Sequence, residues 1–409
     1  MEKQNKLKQG SRKFYCVGQL SIRDESFSLD NDSQNNPNYV FSKVNFQVNS
    51  NTSTDWFGLI GGYMKDGSSK IYCHGLKERN GRMVGDWNNR IVLDWSKRFD
   101  VDELSLIDPN DFITIKVAKD DNGKLIEKRF LAEYDAIKYL NEVLKNEMVI
   151  KIQGDLEPKL ATTKENGTNY ARLEPKIKRI ELVEGEQADK KNWTYNCVLP
   201  LLITKESVEQ SAKPNEDGFI ECDAFVAGYL GKFNGIEYRE TVAYPIKVKI
   251  NANKIPLYDK VIKAYLRPQK NYVIELYTQC LFVTQGETVQ LSYDELSEDM
   301  KLQIECGLMK KEEVLKKATA GGTLVHYLEF VRPHTTKNDS GSLVCKINKE
   351  AYIDDDITNV LSLVKSTNEN TTMKTVEIKP LEESVGDAIL DKEFEEAFGD
   401  DDFFSDLAL

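Results

Sequence analysis

The pattern of apolar residues at positions 130–183 constrains the fold more strongly than any other stretch of this chain. It begins with apolar side chains at three- and four-residue spacing, which is typical of an amphipathic helix. These residues are Ala132, Ala136, Tyr139, Leu140, Val143 and Leu144. Between residues 148 and 156 apolar and polar residues alternate instead, which predicts a strand with two different faces.

A return strand is predicted directly after this one. The pair Asn166-Gly167 is a signal for a tight hairpin turn. Residues 170–183 are strand-like again, but their alternation slips near Lys178 and Arg179, which predicts a bulge or bend there. The segment therefore reads as a helix followed by a β-hairpin.

Several strands precede this helix. Strand-like runs lie at residues 14–22, 39–48, 56–64, 91–95 and 112–118. Several strands, one helix and a final hairpin is the order found in five-stranded OB barrels, in which the helix lies between the third and fourth strands. The first part of the chain therefore predicts an OB-like barrel.

The same order recurs downstream. A short helix is predicted at residues 256–266, where Arg267-Pro268 ends it, and a helical segment at 293–317 is inserted into the second hairpin. Strand-like runs lie at residues 195–204, 220–230, 236–250, 272–283 and 324–331. We therefore expect a mainly β protein with helical insertions, built from two tandem OB-fold-like barrels.

Length and composition predict where these units begin and end. A chain of 409 residues exceeds the usual size of a single core. We expect the first barrel in residues 1–185 and the second in residues 193–364, with the charged segment 184–192 as the linker. Residues 365–409 are predicted to be a polar linker and a tail.

The tail is strongly acidic. Residues 381–409 hold eleven carboxylates and one cation, Lys392, so the tail carries −10 of the net charge of −12. Such a block repels itself and is predicted to be disordered. Its aromatic residues suggest that it docks in a basic, apolar-floored groove of a partner or of its own protein, although an inert solubility tail is the alternative. The docking residues are predicted to be Phe398, Asp400, Asp401, Asp402, Phe403 and Phe404.

Two barrels with an acidic tail resemble the single-stranded-DNA-binding proteins encoded by bacteriophages. Tails in that family end in acidic residues and a terminal aromatic, which Asp400-Asp401-Asp402-Phe403-Phe404 matches; the additional residues 405–409 depart from it. The resemblance implies sequence-independent binding of single-stranded DNA in replication and recombination, in the host cytoplasm. It also implies that the tail recruits replication or recombination proteins.

Other classes of function lack support in the sequence. Seven scattered cysteines without a Cys-x-x-Cys pair favour reduced thiols in a cytoplasm. Three histidines give no spaced set of metal ligands, and no apolar run reaches the ~18 residues of a membrane span. Phosphate-binding and nucleophile motifs are missing as well. We therefore expect no metal, no cofactor and no enzymatic activity.

Residues 63–98 interleave aromatic and cationic residues in a segment rich in glycine and asparagine. Aromatic rings stack on bases and cations follow phosphates, so this combination suits single-stranded DNA. We interpret it as a long exposed loop of the first barrel; the alternative is that its tryptophans, Trp95 above all, pack on the barrel. The candidate DNA-binding residues are Tyr63, Lys70, Tyr72, Lys77, Arg79, Arg82, Trp87 and Arg90.

Two further groups of residues are candidates for contacts with DNA. The polar face of the first hairpin contributes Lys151, Lys159, Arg172, Lys176 and Lys178. The turn Asn234-Gly235 in the second barrel is flanked by Tyr229, Lys232, Phe233, Tyr238 and Arg239. The alternatives are a solvated strand face for the first group and an ordinary hairpin tip for the second.

Two rival functions remain open at this point. One is a virion or host-interaction protein that uses β-barrels to present loops to other proteins. The other is a replication accessory enzyme with an unrecognised active site.

Overall fold

The computed structural model describes residues 7–79, 81–163, 167–269, 271–290, 293, 298–306, 308–311, 319–338 and 340–371. This part of the chain is mainly β. The predicted tail, with Phe398, Asp400–Asp402, Phe403 and Phe404, lies outside the described residues. None of the helices in the described ranges is long and apolar enough to cross a membrane.

The first half holds ten strands and two helices. The strands are β1 (Lys13–Ser21), β2 (Phe27–Asp32), β3 (Tyr39–Asn49), β4 (Thr54–Met64), β5 (Lys70–Arg79), β6 (Arg82–Asp94), β7 (Ile113–Lys116), β8 (Lys128–Phe130), β9 (Val149–Thr162) and β10 (Asn169–Leu182). The helices are α1 (Val101–Leu104) and α2 (Glu133–Val143).

Strand pairing in this half gives the order β4-β3-β1-β9-β10, with antiparallel neighbours throughout. The predicted helix at 132–144 is confirmed as α2, which lies between β4 and β9 in the chain and buries Ala136, Ile137 and Leu140. The predicted bulge is also confirmed, because the register of β9 and β10 shifts between Ile177 and Arg179.

The interpretation of residues 63–98 as a loop was wrong. Most of this segment forms a two-stranded antiparallel ribbon, β5 with β6. Its buried face places Cys73 and Leu93 in a small core with Ile107 and Phe112. The glycines and asparagines of the segment suggested a loop. The strands were missed because the few apolar residues that hold the ribbon alternate with polar ones and are divided between two strands.

The second half holds eight strands and three helices. The strands are β11 (Thr194–Ile203), β12 (Phe219–Phe233), β13 (Ile236–Asn251), β14 (Tyr272–Gln290), β15 (Thr319–Pro333), β16 (Thr335–Lys337), β17 (Leu343–Cys345) and β18 (Ile347–Ile353). The helices are α3 (Tyr258–Tyr265), α4 (Glu298–Glu305) and α5 (Val360–Thr371).

Five of these strands pair in a ring. β11 pairs with β12 and β14, β12 pairs with β13, and β14 pairs with β15. Parallel pairing of β13 with β15 at Val248–Leu328 and Lys249–Glu329 completes the ring. The helix α3 lies between β13 and β14, and α4 lies between β14 and β15, as the sequence predicted.

The two halves share hydrogen bonds and a core. β1 pairs with β9 on one edge and with β11 on the other, so one sheet of fourteen strands runs across the predicted linker. Tyr195 of β11 stacks on Phe282 with ring centroids 4.0 Å apart and meets Phe14 edge-on at 5.9 Å. Surfaces of the two halves are therefore held in a defined relation to each other.

Candidate nucleic-acid interface

The outer face of the ribbon exposes an aromatic ring among charged side chains. Cross-strand register places Lys70 opposite Asp94, Tyr72 opposite Val92 and His74 opposite Arg90. Tyr72 is 76% exposed. Lys70 pairs with Asp94, whereas exposed Arg90 has no ion-pair partner in the part of the chain that the structure describes. The ribbon thus presents an accessible ring next to an available cation.

Other predicted residues of the ribbon lie at its end and along its sides. Arg79 and Arg82 face each other where the two strands meet, and Lys77 lies 3.6 Å from Asp86. Trp87 lies on β6, and its side chain is outside what the structure describes.

Tyr63 lies at the base of the ribbon in an aromatic cluster. Its ring stacks on Trp95 at 5.0 Å with an interplanar angle of 10°, and it meets Tyr134 edge-on at 5.1 Å. The guanidinium of Arg98 lies 4.3 Å from the Trp95 ring and pairs with Asp135 at 2.7 Å. The cluster joins β4, the ribbon and α2, so Tyr63 has a packing role whatever else it contacts.

A turn at residues 108–111 attaches the ribbon to the rest of the first half. The backbone N–H of His74 donates to Asp111, and the His74 ring nitrogen Nδ1 lies 3.0 Å from the same carboxylate. Lys178 donates to the carbonyl of Asn110 at 2.9 Å. Burial lowers the pKa of Lys178, and the nearby charge of Lys176 lowers it further. Lys178 therefore links the bulge of β10 to the base of the ribbon.

Apart from Lys178, the predicted cations of the β9–β10 hairpin are paired with carboxylates. Lys151 pairs with Glu181 and Arg172 with Glu174. Lys176 lies 3.5 Å from Glu157. Although burial raises the pKa of Glu157, Lys159 and Lys176 together lower it below its usual value. These cations therefore already have carboxylate partners, which the count of lysines and arginines in the sequence did not reveal.

The tip of the β12–β13 hairpin exposes one aromatic ring and partly buries two others. Tyr229 is 54% exposed, and exposed Lys232 has no ion-pair partner among the described residues. Phe233 and Tyr238 pack against a cluster around Leu230 and Val242. Arg239, the fifth predicted residue of this hairpin, has a positive φ of 52° and pairs with Glu237 at 2.9 Å.

These two hairpins lie side by side. Arg12 donates to the carbonyls of Leu156 on β9, at 2.8 Å, and Ala227 on β12, at 2.7 Å. A Cβ at Gly228 would overlap the ring of Pro158, so the two strands are in close contact. Near the tips, Leu160 of β9 joins the cluster around Leu230 that Val360 and Val364 of α5 complete. Two of the three predicted groups are thus brought together, and helix α5 lies beside them.

A fourth surface was missed by sequence reasoning. The outer face of β3 and β4 carries Lys43, Asn45 and Gln47 opposite Ile60, Gly58 and Trp56. The sequence contained a signal for this surface, because Trp56, Gly58 and Ile60 alternate with buried Phe57 and Leu59 and so lie on the opposite face of the strand. A groove of about 290 Å³ adjoins this face and is lined by Gly58, Leu59, Ile60, Glu133, Glu157, Lys159, Glu174, Pro175, Lys176 and Ile177.

Comparison with known proteins gives weak similarities. No protein-family model matches the chain, and no curated protein matches it. Among solved structures it is similar to the wild-type single-stranded DNA binding protein from Thermus aquaticus, with a TM-score of 0.28 and 8% identity over 81% of this chain and 98% of that chain. A deletion mutant of that protein gives a TM-score of 0.27 and 8% identity over 68% of this chain and 88% of that chain. At such values we transfer neither fold nor function from these structures.

Proposed function

We propose that this protein binds single-stranded DNA with little dependence on sequence. The observation that carries the proposal is the pairing of exposed tyrosines with cations that have no ion-pair partner among the described residues. Tyr72 lies next to Arg90 on the ribbon, and Tyr229 precedes Lys232 on the β12–β13 hairpin. An exposed ring is available to stack on a base, and an unpaired cation is available to a phosphate.

The architecture is compatible with two OB-like barrels, which is also our proposal. The spatial order β4-β3-β1-β9-β10 is repeated as β13-β12-β11-β14-β15. In the chain, α2 lies between β4 and β9, and α3 lies at the corresponding place between β13 and β14. In OB folds, oligonucleotides bind to the face of the second and third strands and to adjacent loops. The proposed units are residues 1–185 and 193–364.

Binding would be electrostatic as well as aromatic. The paired cations Lys70, Arg172 and Lys176 would exchange a carboxylate for a phosphate, which yields little net energy on an exposed surface. Arg90 and Lys232 have no such pair to break, so they would contribute most of the counterion release that favours association. The bound strand would be kept from re-pairing without any bond being made or broken.

The acidic tail would act on the same surface. Helix α5 packs through Val360 and Val364 beside the two hairpins, and residues 372–409 follow it in the chain. On a tether that begins there, residues 381–409 hold ten net negative charges at high effective concentration near the proposed site. We propose that the tail competes with DNA and that its aromatic residues recruit replication or recombination proteins of a bacteriophage system.

Fluorescence anisotropy with a labelled 30-nucleotide oligo(dT) tests the proposed function. Affinity should fall steeply with salt, with a log–log slope of ~0.7 per phosphate contacted. Oligo(dA) and oligo(dC) should bind with similar affinity. A folded protein that binds none of these oligonucleotides at low salt would overturn the proposal and favour a protein-interaction role. Metal-dependent cleavage of the oligonucleotide would point instead to an accessory enzyme.

A further inference from the structure

The first half leaves open a gap that strand pairing closes in the second half. There the ring is completed by parallel pairing of β13 with β15. The corresponding strands of the first half are β4 and β10, and within the described ranges β4 pairs with β3 alone. The groove of about 290 Å³ lies between them, with Leu59 of β4 and Ile177 of β10 in its lining. We infer that this groove binds an extended, basic segment of a partner protein, which adds to β4 as a further strand.

The open edge of β4 offers backbone groups to such a segment. The N–H of Met64 points away from β3 and donates to the Ser69 hydroxyl at 2.7 Å. In an antiparallel pair, the backbone groups of successive residues alternate between facing the partner strand and facing away from it. Those of Gly58 and Ile60, six and four residues before Met64, therefore face away from β3 as well. Neither residue has a hydrogen-bond partner on that side in the part of the chain that the structure describes.

This edge lacks the features that usually prevent pairing with another chain, which are charged residues, proline and bulges. The strands at the two ends of the large sheet, β18 and β8, carry Lys349 and Glu350, and Lys128 and Arg129, respectively. Residues 56–63 of β4, in contrast, contain no charged residue and no proline. Their register with β3 is also free of bulges. The edge of β4 is therefore suited to accept a strand.

The opposite wall of the groove does not supply that strand. Thr163 donates to the carbonyl of Thr168 across the β9–β10 hairpin. By the same alternation, Pro175 of β10, seven residues further on, faces away from β9 and toward the groove. Proline has no N–H to donate, and residues 179–181 of β10 already pair with β7. β10 is thus a wall of the groove, and the edge of β4 remains available to a segment from another protein.

The charge of the groove selects a basic occupant. Its lining includes the carboxylates of Glu133, Glu157 and Glu174, which repel a nucleic acid and the acidic tail. Glu157 and Glu174 are paired with cations of the β9–β10 hairpin. Glu133 has no ion-pair partner among the described residues. It begins α2 close to Gly61, where an added Cβ would lie 2.7 Å from the Cβ of Glu133. A lysine or arginine of the bound strand can therefore pair with Glu133 at this end of the groove.

A short peptide of alternating lysine and valine, capped at both ends, is the probe for this site. As a strand it presents one cationic and one apolar face. Fluorescence anisotropy measures its binding, and hydrogen exchange followed by NMR locates it. Saturating peptide should slow amide exchange at Gly58 and Ile60, which face the groove, and change Leu59, which faces β3, much less. The same peptide with methylated backbone nitrogens keeps its charge but cannot donate to a strand, so it should not bind there.

Two pairs of variants test the backbone and the charge separately. Ile60→Pro removes the outward N–H, whereas Ile60→Ala shortens the same side chain and keeps that donor. Ile60→Pro should bind the peptide roughly 2- to 12-fold more weakly than Ile60→Ala, the effect of one hydrogen bond. Glu133→Gln should weaken binding up to about fivefold. Glu142→Gln makes the same charge change at an exposed position of α2 and should have no effect.

Several outcomes would overturn the assignment. If the peptide binds without slowing exchange at Gly58 and Ile60, it is held elsewhere, as by the carboxylates of residues 381–409. Equal binding of the methylated peptide, or no binding of either peptide, would also refute strand addition; this comparison uses the wild-type protein and holds even if Ile60→Pro does not fold. Dimerisation that protects the same amides would assign the edge to a second copy of the chain. None of these results involves oligo(dT), so the proposed function is tested independently.

Discussion

Tyr63 and Tyr72 show how the surroundings of a residue decide its role. Both were predicted to contact DNA because both belong to the same aromatic, cationic segment. Tyr63 stacks on Trp95 and meets Tyr134 in a cluster that joins three elements. Tyr72 projects from the opposite side of the ribbon from Cys73 and is 76% exposed. The same type of side chain therefore packs in a cluster at one position and is exposed at the other.

Alanine substitution should separate these two roles. Tyr72→Ala should weaken binding of oligo(dT) by ~1–3 kcal/mol while changing the free energy of unfolding by less than about 0.5 kcal/mol. Tyr63→Ala should lower the free energy of unfolding by about 1–3 kcal/mol because it opens the aromatic cluster. A titration and a chemical denaturation on each variant provide the comparison. Full affinity in Tyr72→Ala would remove the ribbon from the proposed interface.

At the level of elements, the ribbon depends on a close approach at Gly85. A Cβ at this position would overlap the carboxylate of Asp108, which is buried. That carboxylate accepts hydrogen bonds from the backbone and side-chain nitrogens of Asn110, at 3.0 and 3.1 Å. Burial raises the pKa of Asp108, and its bonds with Asn110 oppose the rise. Asn110 in turn accepts from Lys178, so one glycine permits a chain of contacts from β6 to β10.

Gly85→Ala should therefore loosen the ribbon. The methyl group would displace Asp108 from Asn110, and we expect a loss of about 1–3 kcal/mol in the free energy of unfolding. Limited proteolysis should then cut faster within residues 70–94. Gly231→Ala is the matched control, since a Cβ there would meet the Tyr229 ring at 3.4 Å, an ordinary contact. Equal stability and equal proteolysis of the two variants would contradict the proposed attachment.

At the scale of the whole molecule, the position of α5 connects the tail to the proposed interface. Val360 and Val364 pack in the cluster that joins the β9–β10 and β12–β13 hairpins. Almost all of the net charge of the chain belongs to residues 381–409, whereas the preceding residues are close to neutral. The electrostatic behaviour of the protein toward DNA should therefore be dominated by a segment that follows α5 in the chain.

Deletion of residues 393–409 should tighten binding to oligo(dT), most clearly at low salt, where the tail is screened least. Raising the salt should reduce the difference between the truncated and the full-length protein. Replacing Phe403 and Phe404 by alanine keeps the charge of the tail and serves as the control for electrostatics. That variant should bind DNA like the wild type but lose binding to replication or recombination proteins. If this variant still binds every protein partner, the tail acts through its charge alone.

Local periodicity predicted much of the fold because the spacing of apolar residues along a strand or helix determines which of its faces is buried. The helix α2, the β9–β10 hairpin and the bulge between Ile177 and Arg179 follow from that spacing. The exposed position of Tyr72 is compatible with the alternation around Cys73. The charge of the tail likewise follows from composition alone.

Other features depend on which strands become neighbours, and spacing along one segment carries no such information. Lys151 and Arg172 lie on strands with glutamates within reach, so their charges are largely balanced. The ribbon β5–β6 exists because two half-apolar strands share a core with Ile107 and Phe112. The outer face with Trp56 becomes a surface only when β3 and β4 pair in register. The two halves share one sheet because β1 is hydrogen-bonded on both edges, a pairing between segments some 180 residues apart that tertiary structure alone decides.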